Sequence, residues 1–175
     1  MTASTAVAVL GIGLYLPELV RSNDWWPQDV VEGWREKLSQ TMPLSSGSLE
    51  QETPGVRASL QAIHELREDP FLGARERRVM PEGMVASDME AQAARQALAA
   101  AGVEPAEIGV LLSHSMVPDY LAVNPAAILH AKLGLPERCF TVGCDGSYSS
   151  FLSQLATAAA LLASGAARYA LIVQS

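Results

Sequence analysis

The residues with the most chemistry in them stand in one run, Val142-Gly143-Cys144-Asp145-Gly146-Ser147-Tyr148-Ser149-Ser150. A thiol, a carboxyl, a phenol and several hydroxyls follow one another there, between glycines that permit a sharp turn. A thiol at the leading end of a helix has its pKa lowered by the helix N–H groups and can accept an acyl group, so Cys144 is the candidate nucleophile. Ser147 and Ser149 are alternative acceptors, although serine at a helix start more commonly caps the backbone. Cys139 reads as packing. His114 ends an apolar run and could face the same place, but a histidine without a visible partner also fits a structural role. Arg75, Arg77 and Arg78 form the dense basic cluster, suited to a phosphate-bearing ligand or to a solvated turn partly neutralised by Glu76. Gly11-Ile12-Gly13 lacks the third glycine of a dinucleotide loop, and Pro17 interrupts the helix that loop would need.

The chain around these residues has 175 residues, 49% apolar, 18% charged and 6% aromatic, with mean hydropathy +0.16. That is a globular composition for one domain or part of one. With 12 Lys and Arg against 19 Asp and Glu, the net charge of -7 argues against nucleic acid as a partner. The stretch poorest in charge, residues 139–167, is broken by Asp145 and many small polar residues, so no membrane span is expected. No basic residue precedes the apolar run at residues 6–10, which a secretory signal would need, and a cytoplasmic location is expected. Two cysteines so close in sequence suit neither a disulfide framework nor a zinc site, and no metal is expected.

The elements that must position the chemistry are most legible after about residue 86. Ser87 with Glu90 predicts a capping box for an alanine-rich helix that stops at Gly102. Residues 108–114 read as a strand, and Asn124-Pro125 as the cap and first turn of a helix ending at Gly134. Residues 139–143 read as a strand, 147–164 as a long helix stopped by Gly165, and 169–173 as a last strand. Helices between strands require crossover connections and a largely parallel sheet. The helix at 147–164 carries apolar and small residues around most of its circumference, which predicts a buried helix with an electropositive leading turn. Before residue 86, residues 5–10 read as a strand, 28–40 and 56–68 as helices, and 41–54 as the loop between them.

From Gly73 onward the chain resembles the thiolase-fold condensing enzymes of the ketoacyl-synthase III group. The resemblance is carried by Gly11-Ile12-Gly13-Leu14-Tyr15-Leu16-Pro17-Glu18, Gly73-Ala74-Arg75-Glu76-Arg77-Arg78, Ser87-Asp88-Met89, Val117-Pro118-Asp119-Tyr120-Leu121, Asn124-Pro125-Ala126-Ala127, Leu133-Gly134-Leu135-Pro136 and Ser164-Gly165-Ala166-Ala167. It implies an α/β chain: the N-terminal half of a duplicated, layered α/β fold with a mixed, mostly parallel sheet and a buried central helix. It also implies an acyltransferase or ketosynthase whose substrate is acyl-CoA or acyl carrier protein, with no permanently bound cofactor, in polyketide or fatty-acid-like metabolism. Arg75 would then help hold the nucleotide end of coenzyme A.

The sequence departs from that pattern in three places. Residues 23–72 are a longer insertion than the family usually has, so the tryptophan that often stacks on coenzyme A is not assignable among Trp25, Trp26 and Trp34. The family's cysteine slot, counted back from Ser164-Gly165 or Phe151, falls on Tyr148, whereas counting forward from Leu133-Gly134-Leu135-Pro136 lands near Ser147, and Cys144 lies a helical turn earlier. A tyrosine there would make the chain a catalytically silent subunit completing a dimer with an active homologue. Lastly, the family's catalytic histidine lies in a C-terminal half for which this chain has no residues. An apolar run at 169–173 needs a neighbour on each edge, so a complementary chain or half, in a homodimer or heterodimer, is expected.

Overall fold

The structure is a computed structural model that describes residues 6–41, 53–66 and 69–175. It divides into two compact units, one built from residues 1–17 and 80–175, the other from Glu18–Val79. Among the described residues no helix is long and apolar enough to cross a membrane.

In the larger unit, α3 (Ala86–Ala101), β3 (Ile108–His114), α4 (Pro125–Leu133), β4 (Phe140–Gly143), α5 (Ser150–Ala163) and β5 (Tyr169–Gln174) follow in order. The strands form a parallel sheet in the order β4-β3-β5, with Val110 paired to Phe140 on one side and to Ala170 on the other. The helices alternate with the strands because each must carry the chain back to the starting edge. Side-chain alternation along β3 from Val110 onward, with a register irregularity between Ile108 and Val110, divides the core in two. Ile108 and Leu111 pack with α3 and α4 residues such as Ala94, Leu98 and Leu129, whereas Val110 and Leu112 pack with Ala158 and Leu161 of α5.

The punctuation works as the sequence suggests in most places. Gly102 and Gly134 end their helices in the left-handed region, at φ 64° and 62°, where a side chain would be strained. The Asn124 side chain accepts from the Ala126 N–H at 3.0 Å, and Pro125 opens the helix behind it. The cap of α3 differs from the expected box. Val85 is the capping residue and the Asp88 carboxylate accepts from its N–H at 3.0 Å, because the Ser87 hydroxyl is taken by Asp119 and Glu90 is turned into the interior.

Two further expectations are corrected. The strand read at residues 5–10 has no ladder over its described residues, 6–10, since no described strand pairs with it; Val9 and Leu10 are left exposed. The helix read as buried all round is buried on one side: Ser150, Gln154 and Ala158 face the sheet, while Phe151, Leu152 and Leu155 are exposed at 50%, 66% and 38%. Among the described residues one layer covers it, and its second apolar face is left without a packing partner.

In the smaller unit, β1 (Val20–Ser22) pairs antiparallel with β2 (Glu76–Arg78), and α1 (Gln28–Thr41) and α2 (Pro54–Leu66) confirm the two helices. The loop predicted between them lies, at 42–52, outside the described residues. Trp25, Trp26, Trp34 and Phe71 form an edge-to-face chain with ring centroids 4.8, 4.9 and 5.9 Å apart. Arg21 lies 3.9 Å over the Trp25 ring.

Gly11 and Gly13 are placed by close approach. A Cβ on either would collide with the backbone of α3, at the carbonyls of Ala97 and Ala93. Gly13→Ala is expected to cost about 1–3 kcal/mol of local stability by overpacking. The check is a melting temperature below wild type by roughly 2–4 °C for each kcal/mol lost.

Candidate active site

The candidate site lies at the C-terminal ends of the three parallel strands, where open α/β sheets bind ligands. Strand register puts His114 and Cys144 side by side: Ser113 pairs with Gly143, and the Cys144 N–H donates to the Ser113 carbonyl at 2.8 Å. A Cβ on Gly143 would lie 2.6 Å from the Asn124 amide oxygen, so a side chain there would push on the cap of α4. By alternation, His114, Cys144 and Gln174 all project to the α5 face. Gln154 of α5, fully buried, meets them there; its amide donates to the Cys144 carbonyl at 3.2 Å and accepts from the Gln174 amide.

The thiol of Cys144 is half-buried and packs at the rim of the Val110, Leu112 and Ala158 cluster. Cys139 is buried, and burial pushes its thiol pKa up, which fits the packing role read for it. His114 is also buried, and its Nδ1 lies 3.7 Å from the exposed carboxylate of Asp145. The lone histidine of the sequence reading therefore has a partner, one residue beyond the candidate nucleophile.

The turn that follows is closed on itself. The Ser147 N–H donates to Asp145 Oδ1 at 3.0 Å, the Gly146 N–H to Ser150 Oγ at 2.8 Å, and the Ser149 N–H to the Gly146 carbonyl at 3.1 Å. The Ser149 hydroxyl is bonded to the same carbonyl at 2.8 Å, so it holds the turn. Ser147 sits at φ 50°, a left-handed conformation that costs a non-glycine residue energy and recurs at functional turns. Its hydroxyl has no hydrogen bond among the described residues, and neither has that of Tyr148, whose side chain is fully exposed. The electropositive leading turn expected ahead of α5 thus has most of its donors engaged.

Arg75 is exposed and stands in the other unit. The three arginines do not act alike: Arg77 donates to Asn23 Oδ1 at 2.8 Å and lies over Phe71, a structural use, while Arg78 reaches the Glu18 carbonyl at 3.4 Å. Among the described residues no group of three or more His, Cys, Asp or Glu side chains is placed to hold a metal.

A second polar cluster, which the sequence reading missed, lies on the α3 face of the same strand ends. Glu90 is buried at 2% exposure; its Oε1 accepts from Ser175 Oγ at 2.6 Å and its Oε2 has no partner. Ser175 Oγ also bonds Ser115 at 2.9 Å, and Asp119 accepts from both the backbone N–H and the hydroxyl of Ser87. A glutamate on the inward face of an alanine-rich helix was the available signal; the capping-box spacing masked it. Burial pushes the Glu90 pKa up, the Ser175 hydrogen bond opposes that, and the Asp119 charge adds to it.

No family model matches the chain. It is 30% identical over 173 residues to the beta-ketoacyl-[acyl-carrier-protein] synthase III of Bordetella petrii, covering 98% of this chain and 44% of that protein. It is 35% identical over 101 residues to the acyl-CoA:acyl-CoA alkyltransferase of Xanthomonas campestris, covering 58% of this chain and 30% of that one. A variant of Xanthomonas campestris OleA, solved with bound lauric acid and lauroyl-CoA, matches in structure with TM-score 0.66 at 23% identity, over 95% of this chain and 42% of that chain. The chain is thus a partial match to homologues named beta-ketoacyl-[acyl-carrier-protein] synthase III and OleA, with the thiolase-like α/β fold, and it spans less than half the length of these relatives.

The folded state holds the Glu90 proton more tightly than the unfolded chain does. Its contribution to stability is therefore greatest below the ordinary glutamate value and is lost as pH rises toward the raised one. Glu90→Gln is expected to melt with wild type at low pH and about 2–4 °C above it at pH 8. Parallel melting curves across pH would remove Glu90 as the cause.

Proposed function

We propose that this chain is the acyl-handling part of a thiolase-fold acyltransferase, a ketosynthase of the ketoacyl-synthase III type, acting together with a C-terminal half or a complementary chain. The reading rests on one observation above others: the match to a beta-ketoacyl-[acyl-carrier-protein] synthase III runs through nearly the whole chain, including the turn at the sheet's C-terminal edge. Cys144 is the acceptor in this reading. Its thiolate attacks the carbonyl carbon of an acyl-CoA or acyl-carrier thioester and expels the donor thiolate. His114, next to it in register and 3.7 Å from the Asp145 carboxylate, takes the Cys144 proton and passes it to the departing sulfur. A carbon nucleophile then attacks the bound acyl group and releases the Cys144 thiolate, completing a Claisen condensation. Arg75 is assigned the phosphates of coenzyme A, and polyketide or fatty-acid-like metabolism is the setting, as the resemblance implies.

A second reading is favoured by a specific pair of observations. Tyr148 occupies the slot that the resemblance assigns to a cysteine, and it is fully exposed, while the Cys144 thiol packs at the core. In this reading the chain is a silent subunit that completes a dimer with an active homologue.

Lauroyl-CoA incubated with the protein as isolated, followed by peptide mass spectrometry, separates the two. The acyltransferase reading expects an adduct on Cys144 that Cys144→Ala reduces at least about tenfold, the loss of the attacking thiolate. The silent-subunit reading expects no adduct on wild type and a new one on Tyr148→Cys.

A further inference from the structure

One fully buried polar side chain at the strand ends has no part in the acyl-transfer steps above. Gln154 lies on the sheet-facing side of α5, in line with Ser150 and Ala158 one turn to either side. A buried amide is costly unless its polar atoms are bonded, and an apolar residue of similar size would avoid the cost. Both ends of this amide are bonded. Its Nε2 donates to the Cys144 carbonyl at 3.2 Å, and its Oε1 accepts from Gln174 Nε2. A carbonyl can only accept, so the amide has one orientation, and the bond from Gln174 keeps it from turning over.

Strand register shows what the two bonds span. Gln174 of β5 pairs with His114, while on the other side of β3 Gly143 pairs with Ser113 and Cys144 follows. Gln154 therefore links the two strand ends that flank His114. The Cys144 carbonyl belongs to the peptide group that joins Cys144 to Asp145. One hydrogen bond thus holds the backbone from which both the thiol and the carboxylate near His114 depart. The Cys144 N–H is held in turn by the Ser113 carbonyl at 2.8 Å. By contrast, the bonds made by the N–H groups of Gly146, Ser147 and Ser149 run within the turn and give it shape without tying it to the sheet.

We propose that Gln154, steered by Gln174, is a positioning residue for acyl transfer to Cys144. It sets the Cys144–Asp145 peptide group so that the thiol and the carboxylate beside His114 keep their places while the thiolate attacks the thioester carbon and the donor sulfur leaves. This deepens the acyltransferase reading and rests on it. Gln154 is fully buried and does not meet the acyl donor, so its effect falls on the rate of bond formation and not on donor binding.

The test is single-turnover acylation of the full chain by lauroyl-CoA over a range of concentrations, with the Cys144 adduct followed by peptide mass spectrometry. Gln154→Leu is expected to lower the saturating rate at least about tenfold. The half-saturating concentration is expected to stay within about twofold of wild type, the split that separates positioning from binding. Gln174→Leu leaves Gln154 in place and is expected to slow the reaction in the same sense; where Gln154→Leu does not fold, it carries the test alone. Because Gln174 acts through Gln154, the double variant is expected to be no slower than Gln154→Leu. A saturating rate equal to wild type, a loss confined to the half-saturating concentration, or losses that multiply in the double variant overturns the positioning role. Absence of an adduct on wild-type Cys144 overturns the acyltransferase reading and this role with it, so the two failures are told apart by the wild-type reaction.

Discussion

A strand buried on both faces must find hydrogen-bond partners on both edges, since water is kept from it on every other side. β3 meets that requirement, with β4 and β5 on either side, and its residues Leu111 and Leu112 are fully buried. Among the described residues β5 meets it on one side. With that asymmetry go the slot between β5 and residues 9–13, the unladdered segment before Pro17 and the exposed outer face of α5. The first two share one pairing requirement left unmet among the described residues; the outer face of α5 is a matter of layer packing.

The elements after residue 86 were legible because their signals are local. Asn124-Pro125, Gly102 and Gly134 act through their own backbone conformation, and the apolar run at 108–114 is too short and too branched for a helix. What the sequence could not convey depends on neighbours. The strand propensity of residues 6–10 is intact, yet a strand exists only when something lies beside it. The circumferential greasiness of α5 describes the surfaces that helix is able to bury; how many it does bury depends on layers the sequence of the helix does not contain. Three tryptophans scattered between prolines gave no hint that they would stack edge to face.

At the candidate site, the thiol, the turn and His114 were visible as residue types, and sheet register brings two of them together. Gln154 and Gln174 were not singled out, although a glutamine in an otherwise apolar helix is the kind of residue that a buried carbonyl demands. Glu90 was visible and misassigned, because the spacing from Ser87 fits a capping box and spacing does not report which way a side chain turns. Asp88 supplies the cap instead, and Lys132 at 2.6 Å keeps its carboxyl below the usual range, together with the Val85 N–H. That arrangement leaves Glu90 free to face the core.

The turn ahead of α5 sets the condition under which this chain can handle an acyl group. Stabilising the oxyanion of a tetrahedral intermediate takes N–H donors that have nothing better to bind. Here the donors of Gly146, Ser147 and Ser149 are already held by Ser150, Asp145 and Gly146. Ser147 is in the left-handed region, so the closed turn carries backbone strain that an opened one would release. Asp145 is the pivot, since it binds the Ser147 N–H and also approaches His114.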